Sequence, residues 1–549
     1  MSIEVSLSPR ARAWNAAMVA RPGSLDLHID ASRIDGEIPR ALRGGRVLSN
    51  GPGWTRIGDK LAHPFDGHGY VRAFELAHDG SVQLRARFVA TRAHRDEAAV
   101  DRIVHRGLGT NVGDHFWENL RLGAGRNVAN TTIVPWAGKL LAGWEGGVPH
   151  ALDAETLDTH GEETFGGALS GHATLAHTRH DVAQERLVFC SITMGPKTKL
   201  TFREVDSQGR VVDTRSAEVS GPMLAHDFVI TPRWYVIGAN PLRFKYGELA
   251  RTLLGASTLI RCLETNDAVP GAIHLVPRGR PGPVCTVTLP GRAFVVHYGN
   301  AFEQGDVVHV DACLFSTFAF GAEFGYQGPS RPLDPTLPDR RAPQRLYRMS
   351  IREGASEGTW EQLASHGIDF PRVHPAHDGV DTPWLFGATS VDTNRSDPFD
   401  SIIGVDLRDR ARPPQMWTAP HDTFVGEPLF APSAERADAG HVLALIADGM
   451  RERTTLAILD AEHLAAGPVA SVHLPLLPFA FHGHFERRCR RSCVGRSSPH
   501  GHSSRQSPTQ PSSGSAPQVI EHTAPVSQSS RQVAPSGHTA SQTVAGRQR

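Results

Sequence analysis

The 549-residue chain has no excess charge of either sign, because lysine plus arginine and aspartate plus glutamate both number 57. Proteins that gather nucleic acid or a polyacidic partner through bulk electrostatics carry a one-sided charge, so neither partner class is expected. Cysteine is sparse, with six residues at 190, 262, 285, 313, 489 and 493 and no tight paired spacing before the tail. That excludes a disulfide framework and a zinc ribbon, and fits reduced thiols in the cytoplasm. Long apolar runs are missing too. The N-terminus lacks the apolar centre of a secretory signal, and no later window approaches about eighteen uninterrupted apolar residues. A cytoplasmic chain, at most peripheral to a membrane, is the expectation. No Gly-x-Gly-x-x-Gly turn follows a strand, so NAD or flavin is not expected either. Nothing in the sequence points to an obligate protein partner.

What is present is a steady rhythm of short apolar runs between glycine, proline and aspartate. Thr131–Val134, a Pro-Trp-Ala-Gly turn and Lys139–Trp144 read as strand, turn and strand. The pattern returns at 186–190, 227–231 with 234–237, 293–296 with 307–310, and 441–446. At this length it predicts one all-β architecture, a β-propeller rather than a sandwich, with loops and short helices forming a cap. No literal repeat marks the blades, so their number is not read from periodicity. Three regions follow: a polar leader over 1–33, a propeller over 34–486 and a tail over 487–549. From residue 488 onward the tail has no Leu, Phe, Trp, Tyr or Met and a single Ile, too little apolar surface to offset chain entropy. It is predicted to be disordered, and Cys489, Cys493, His500 and His502 there carry no metal-site expectation.

One segment, from Phe244 to Arg261, breaks the rhythm. Leu249, Leu253 and Ile260, widened by Leu254 and Leu259, share a helical face. Two readings stay open: a helix packed on the barrel end, or an apolar lip that uses Leu253 and Leu254 to dip into a membrane.

Histidine is abundant at 29, and four histidines stand at strand-like positions among apolar neighbours: His177, His226, His297 and His482. Glu145, Asp369 and Glu427 stand in comparable settings. Buried carboxylates need partners, and metal-bound imidazoles commonly donate their second ring N–H to a carboxylate. The two sets fit each other, although each residue could also be a separately satisfied core residue.

The ordered strings Gly36-Glu-Ile-Pro, Phe65-Asp-Gly-His-Gly, Asn127-Val-Ala-Asn-Thr, Trp144-Glu-Gly-Gly-Val-Pro-His, Ala176-His, His226-Asp-Phe, His297-Tyr-Gly-Asn-Ala, Glu427-Pro-Leu-Phe and Phe481-His-Gly span Ile34 to Phe485. In that order they resemble the carotenoid cleavage oxygenase family, which includes the retinal pigment epithelial membrane protein-like proteins. The resemblance implies a seven-bladed β-propeller with non-haem Fe(II) on its axis, held by His177, His226, His297 and His482. It places Glu145, Asp369 and Glu427 behind those imidazoles as their hydrogen-bond acceptors. Four neutral imidazoles suit ferrous iron and leave a coordination position open. His150, His172, His180 and His484 match no ligand position.

Aspartate at 369 departs from the family's glutamate and is one methylene shorter, so the backbone approaches, a water bridges, or His297 is held more loosely. Stilbene-cleaving relatives carry lysine where this chain has Trp144, which replaces a phenolate-binding charge with an apolar wall. The implied activity is cleavage of one conjugated double bond of a carotenoid or apocarotenoid with O2, giving two aldehydes. The alternatives are a stilbene or phenylpropenoid substrate on the same scaffold, and a non-catalytic lipid-binding propeller. Family members end soon after the last histidine, so the continuation from Glu486 is foreign to the resemblance, an appendage or the product of a shifted reading frame. With the usual closing segment missing, His482 would be the least firmly held of the four.

Overall fold

The computed structural model describes residues 7–120, 125–195, 197–240, 242–266, 268–316, 320–336, 344–392, 398–436 and 439–487. Contacts divide the chain between Cys489 and Arg490, and the second unit, Arg490–Arg549, lies outside the described residues, as does the tail expectation that falls on it.

Seven antiparallel sheets follow one another along the chain as the blades of a β-propeller. Blades two to six each have four strands in chain order, beginning at the axis with Thr132–Trp136, Arg179–Asp181, Val229–Ile230, Phe294–Gln304 and Ile368–Arg372; in blade four a separate two-stranded sheet, Leu242–Phe244 with Leu263–Thr265, intervenes between the second and third. Their sequences explain their depth. Gly440–Asp448, a middle strand of blade seven, is an almost unbroken apolar run buried on both faces, whereas Val211–Ser220 at the rim of blade three alternates residue by residue.

Blades one and seven are built from both ends of the chain. His482–Arg487 pairs with Gly45–Asn50, from Asn50 opposite His482 to Gly45 opposite Arg487. Arg46 Nε donates to Glu486 Oε1 at 2.6 Å across that seam. The last strand thus continues to Arg487, past the point where the sequence reading broke it off, and His482 is 4% exposed. It is firmly seated, because the closing strand needs only backbone pairing to a buried neighbour. On the other side, Asp35–Gly36 pairs with Ala470 and Ser471 of blade seven. Gly36 sits at φ +79°, and a Cβ there would lie 2.1 Å from Val469 O, so only glycine fits.

The region before residue 34 is not separate from the propeller. Leu25–Ile29 forms the outer strand of blade one against Val82–Phe88. Helix Pro9–Val19, capped by Ser8, buries Ala13, Trp14, Ala17 and Met18. Most of its residues are apolar, and what they pack against lies far along the chain. Trp14 packs edge-on against Phe424 and Phe479, and its Nε1 donates to Phe324 O at 2.9 Å.

The predicted helix after Phe244 is shorter than its sequence pattern. Tyr246–Leu253 is helical, and a separate 3-10 turn covers Leu259–Cys262. None of the helix residues is fully buried, Leu249 and Thr252 are half-buried, and Leu253 and Leu254 are 68% and 62% exposed. No helix among the described residues is long and apolar enough to cross a membrane.

Candidate metal centre

Each axial histidine reaches the centre from a different blade. His177, after a bend at Ala176, and His226, in a bend, lie just before the inner strands of blades three and four, His297 is within the inner strand of blade five, and His482 opens the closing strand of blade one. Residues separated by up to 305 positions therefore meet: the imidazole nitrogens lie within 4.8 Å of one another. The Nε2 atoms of His177 and His226 are 3.1 Å apart, and the ring centroids of His177 and His482 are 4.3 Å apart.

Three carboxylates stand behind three of the rings. Glu145 Oε1 is 2.5 Å from His226 Nδ1, Asp369 Oδ1 is 2.7 Å from His297 Nδ1, and Glu427 Oε1 is 3.0 Å from His482 Nδ1. An acceptor at Nδ1 keeps the proton there and turns the Nε2 lone pair inward. His177 has no such acceptor among the described residues; Asp227 Oδ1 is 4.0 Å from its Nδ1 and accepts the Phe228 N–H, while Asp227 Oδ2 is engaged by Arg179 and the Tyr298 N–H.

The shorter Asp369 reaches His297 because the backbone moves. Pairing with the next strand slips between Asp369 and Arg372, and Phe370 adopts φ +52°. Such a bulge re-aims side chains, and here Asp369 Oδ1 also accepts the Phe370 N–H at 2.9 Å. Of the three outcomes left open by the sequence, this is backbone approach. Phe370 itself packs against His297 and His482, with ring centroids 5.2 and 5.3 Å away.

Electrostatics favours neutral imidazoles at two positions. Burial, followed by the neighbouring imidazoles, pushes His177 well below its ordinary value. Burial also takes His482 down to about 4 despite the opposing pull of Glu427. In His226 burial acts downward but the Glu145 charge and hydrogen bond outweigh it, raising the group. Glu427 is held down to about 2, burial being outweighed by Arg372 and His482.

The donor set fits a metal ion. His297 Nε2 is buried and has no hydrogen-bond partner among the described residues, although burying a polar atom unpaired is costly. It faces three other nitrogens with nothing to donate to or accept from except one another. A cavity of about 280 Å3 with a mainly apolar lining opens onto the imidazoles, and Trp144, Phe65, Phe294, Phe324 and Phe481 form part of its wall. Leu259 and Ile260, beside the exposed helix, reach the same wall, whereas Leu253 and Leu254 do not.

The profile of the retinal pigment epithelial membrane protein family matches residues 22–487. The chain belongs to that family. It is 31% identical to the apocarotenoid-15,15'-oxygenase of Synechocystis sp. over 86% of this chain and 95% of that protein. It is 28% identical to the isoeugenol monooxygenase of Pseudomonas putida over 84% of this chain and 95% of the relative. The structure of cobalt-substituted Synechocystis apocarotenoid oxygenase superposes with a TM-score of 0.79 at 29% identity, covering 88% of this chain and all of that one. The protein is thus an oxygenase of the carotenoid cleavage family, and its histidine cluster is of a kind that holds a metal. The non-catalytic alternative is set aside by these relatives.

Sequence reasoning overlooked Arg372 and Asp227. Asp227 stands inside the string His226-Asp-Phe and Arg372 three residues after Asp369, but an arginine in an arginine-rich chain carries no signal until its partner is known.

Proposed function

We propose that this oxygenase cleaves one conjugated C=C bond of a carotenoid or apocarotenoid with O2 to give two aldehydes, using Fe(II) held by His177, His226, His297 and His482. The observation that carries the reading is the inward convergence of four imidazoles at the end of an apolar cavity. Imidazole donors suit ferrous iron, and bound there it would supply the redox activation of O2. The chain's own residues do the rest. Glu145, Asp369 and Glu427 keep the Nδ1 protons in place and orient the rings. The apolar wall excludes water and aligns a rigid polyene, so that one double bond lies at the imidazoles. Trp144, only 6% exposed and beside Glu145, contributes to that wall where a stilbene cleaver would present lysine.

A phenylpropenoid or stilbene substrate is the second reading, supported by the similarity to isoeugenol monooxygenase. Protein reconstituted anaerobically with Fe(II), then given heavy-isotope O2 with an apocarotenal and with a hydroxystilbene, separates the two by product mass. Two labelled aldehydes from the apocarotenal are expected; cleavage of the stilbene alone would overturn the substrate assignment. The exposed Leu253 and Leu254 support peripheral contact with a membrane through which a lipophilic substrate arrives.

A further inference from the structure

The three carboxylates that touch the axial imidazoles are not held alike. Glu145 has His226 as its one hydrogen-bond partner among the described residues, and Asp369 has His297 and a backbone N–H. No guanidinium or ammonium pairs with either among those residues. Glu427 is different. Arg372, from the inner strand of blade six, grips it with two parallel bonds, Nε to Oε1 at 3.0 Å and Nη2 to Oε2 at 2.8 Å. The same Nη2 donates to Gly483 O at 3.3 Å, while Gly483 N donates to Glu427 Oε2 at 2.8 Å. One guanidinium thereby ties blade six to blade seven and to the closing strand that carries His482.

The pairing also changes the charge count. Four neutral imidazoles add nothing, and Arg372 cancels Glu427. Glu145 and Asp369 remain, and their two negative charges match one divalent cation. A trivalent cation would leave the set with an unbalanced positive charge, which is costly beside the buried His297, His482, Asp369 and Glu427, although Glu145 and Arg372 are 31% and 35% exposed. Asp227 beside His177 is neutralised in the same manner by Arg179. Asp378 also faces both arginines, but it is exposed to solvent, which screens its charge from the centre.

We propose that Arg372 is a positioning residue that sets the charge of the metal centre, so that the site is neutral with a divalent ion and iron is kept ferrous. This rests on the assignment of iron to the four histidines. The closing experiment measures the iron(III)/iron(II) midpoint potential by spectroelectrochemistry in wild type, Arg372→Met, Glu427→Gln, the double variant and Arg372→Lys.

Arg372→Met leaves one carboxylate uncancelled and is expected to favour the ferric state at least tenfold, a downward shift of about 59 mV or more. Glu427→Gln removes an anion and is expected to shift the potential upward. The double variant is expected to return toward wild type, and lysine at 372 to hold much of the wild-type value. A loosened fold alone would not produce opposite shifts that cancel. Should Arg372→Met not fold, the comparison of Glu427→Gln with the double variant still isolates loss of the guanidinium. Equal potentials in all variants would overturn the inference while leaving the iron site standing. Wild-type protein that takes up no iron would instead overturn the site assignment itself.

Discussion

The axial cluster and the segment around Tyr246–Leu253 both bring apolar and polar side chains together, yet they are organised in opposite ways. At the axis His297, His482, Asp369 and Glu427 are buried, His177, His226, Glu145 and Arg372 are partly exposed, and nearly every one has a named partner: Glu145 for His226, Asp369 for His297, Glu427 for His482 and Arg372 for Glu427. At the segment, apolar side chains face outward, with Leu253 and Leu254 more than half exposed. Burial makes partners obligatory, because an unpaired polar group has no water to fall back on. Exposure leaves a side chain free of such constraints and available to another surface.

The sharpest way to break the contrast is at the axis. His297→Ala is expected to abolish iron binding and cleavage together, read as metal stoichiometry and product yield on the same preparation; retained turnover would remove His297 from the ligand set. Next comes an interior apolar residue set against the exposed leucines. Trp14→Ala should cost about 3–5 kcal/mol, seen as a lowered urea midpoint, because the fully buried ring leaves a cavity among Phe324, Phe424 and Phe479.

Charge introduced into the interior should be resisted in the same way. Burial holds His150 and His274 down to about 4, below the ordinary 6.5, so the unfolded chain binds protons more readily than the folded one between those values. Their contribution is fully present above pH 6.5 and is lost as pH falls toward 4, each group removing up to about 1.4 kcal/mol per pH unit. Denaturant midpoints measured across that window on protein with Asn at both positions should show a shallower decline.

Asp369→Ala is expected to weaken metal affinity about 10- to 100-fold by competition titration. Asp369→Glu should also bind more weakly than wild type, because the bulge at Phe370 has already closed the gap; tighter binding would refute that compensation. The smallest stability effect belongs to the rim. Leu253→Asp with Leu254→Asp should change stability by less than about 0.5 kcal/mol and leave turnover of detergent-dispersed substrate intact while weakening vesicle association. Unchanged vesicle binding would end the membrane reading.

Much of this molecule could be read before its structure. Strand rhythm gave the all-β class, and apolar neighbours singled out His177, His226, His297 and His482 together with the carboxylates now found beside three of them. The leader was misjudged because Trp14 and Leu25–Ile29 are short apolar insertions whose partners lie far along the chain. Arg372 was invisible for a related reason: a guanidinium's meaning depends on the carboxylate 55 residues away.

By itself the sequence carried the residue types the axis would hold and the strand rhythm of the all-β class, since periodicity and residue type are local properties. Only the tertiary structure decided how closely those groups approach, that a bulge compensates a missing methylene at Asp369, and that one carboxylate alone of the three would be paired with arginine. Those outcomes depend on blade-to-blade packing, where backbone register sets side-chain reach and burial sets the strength of each charge.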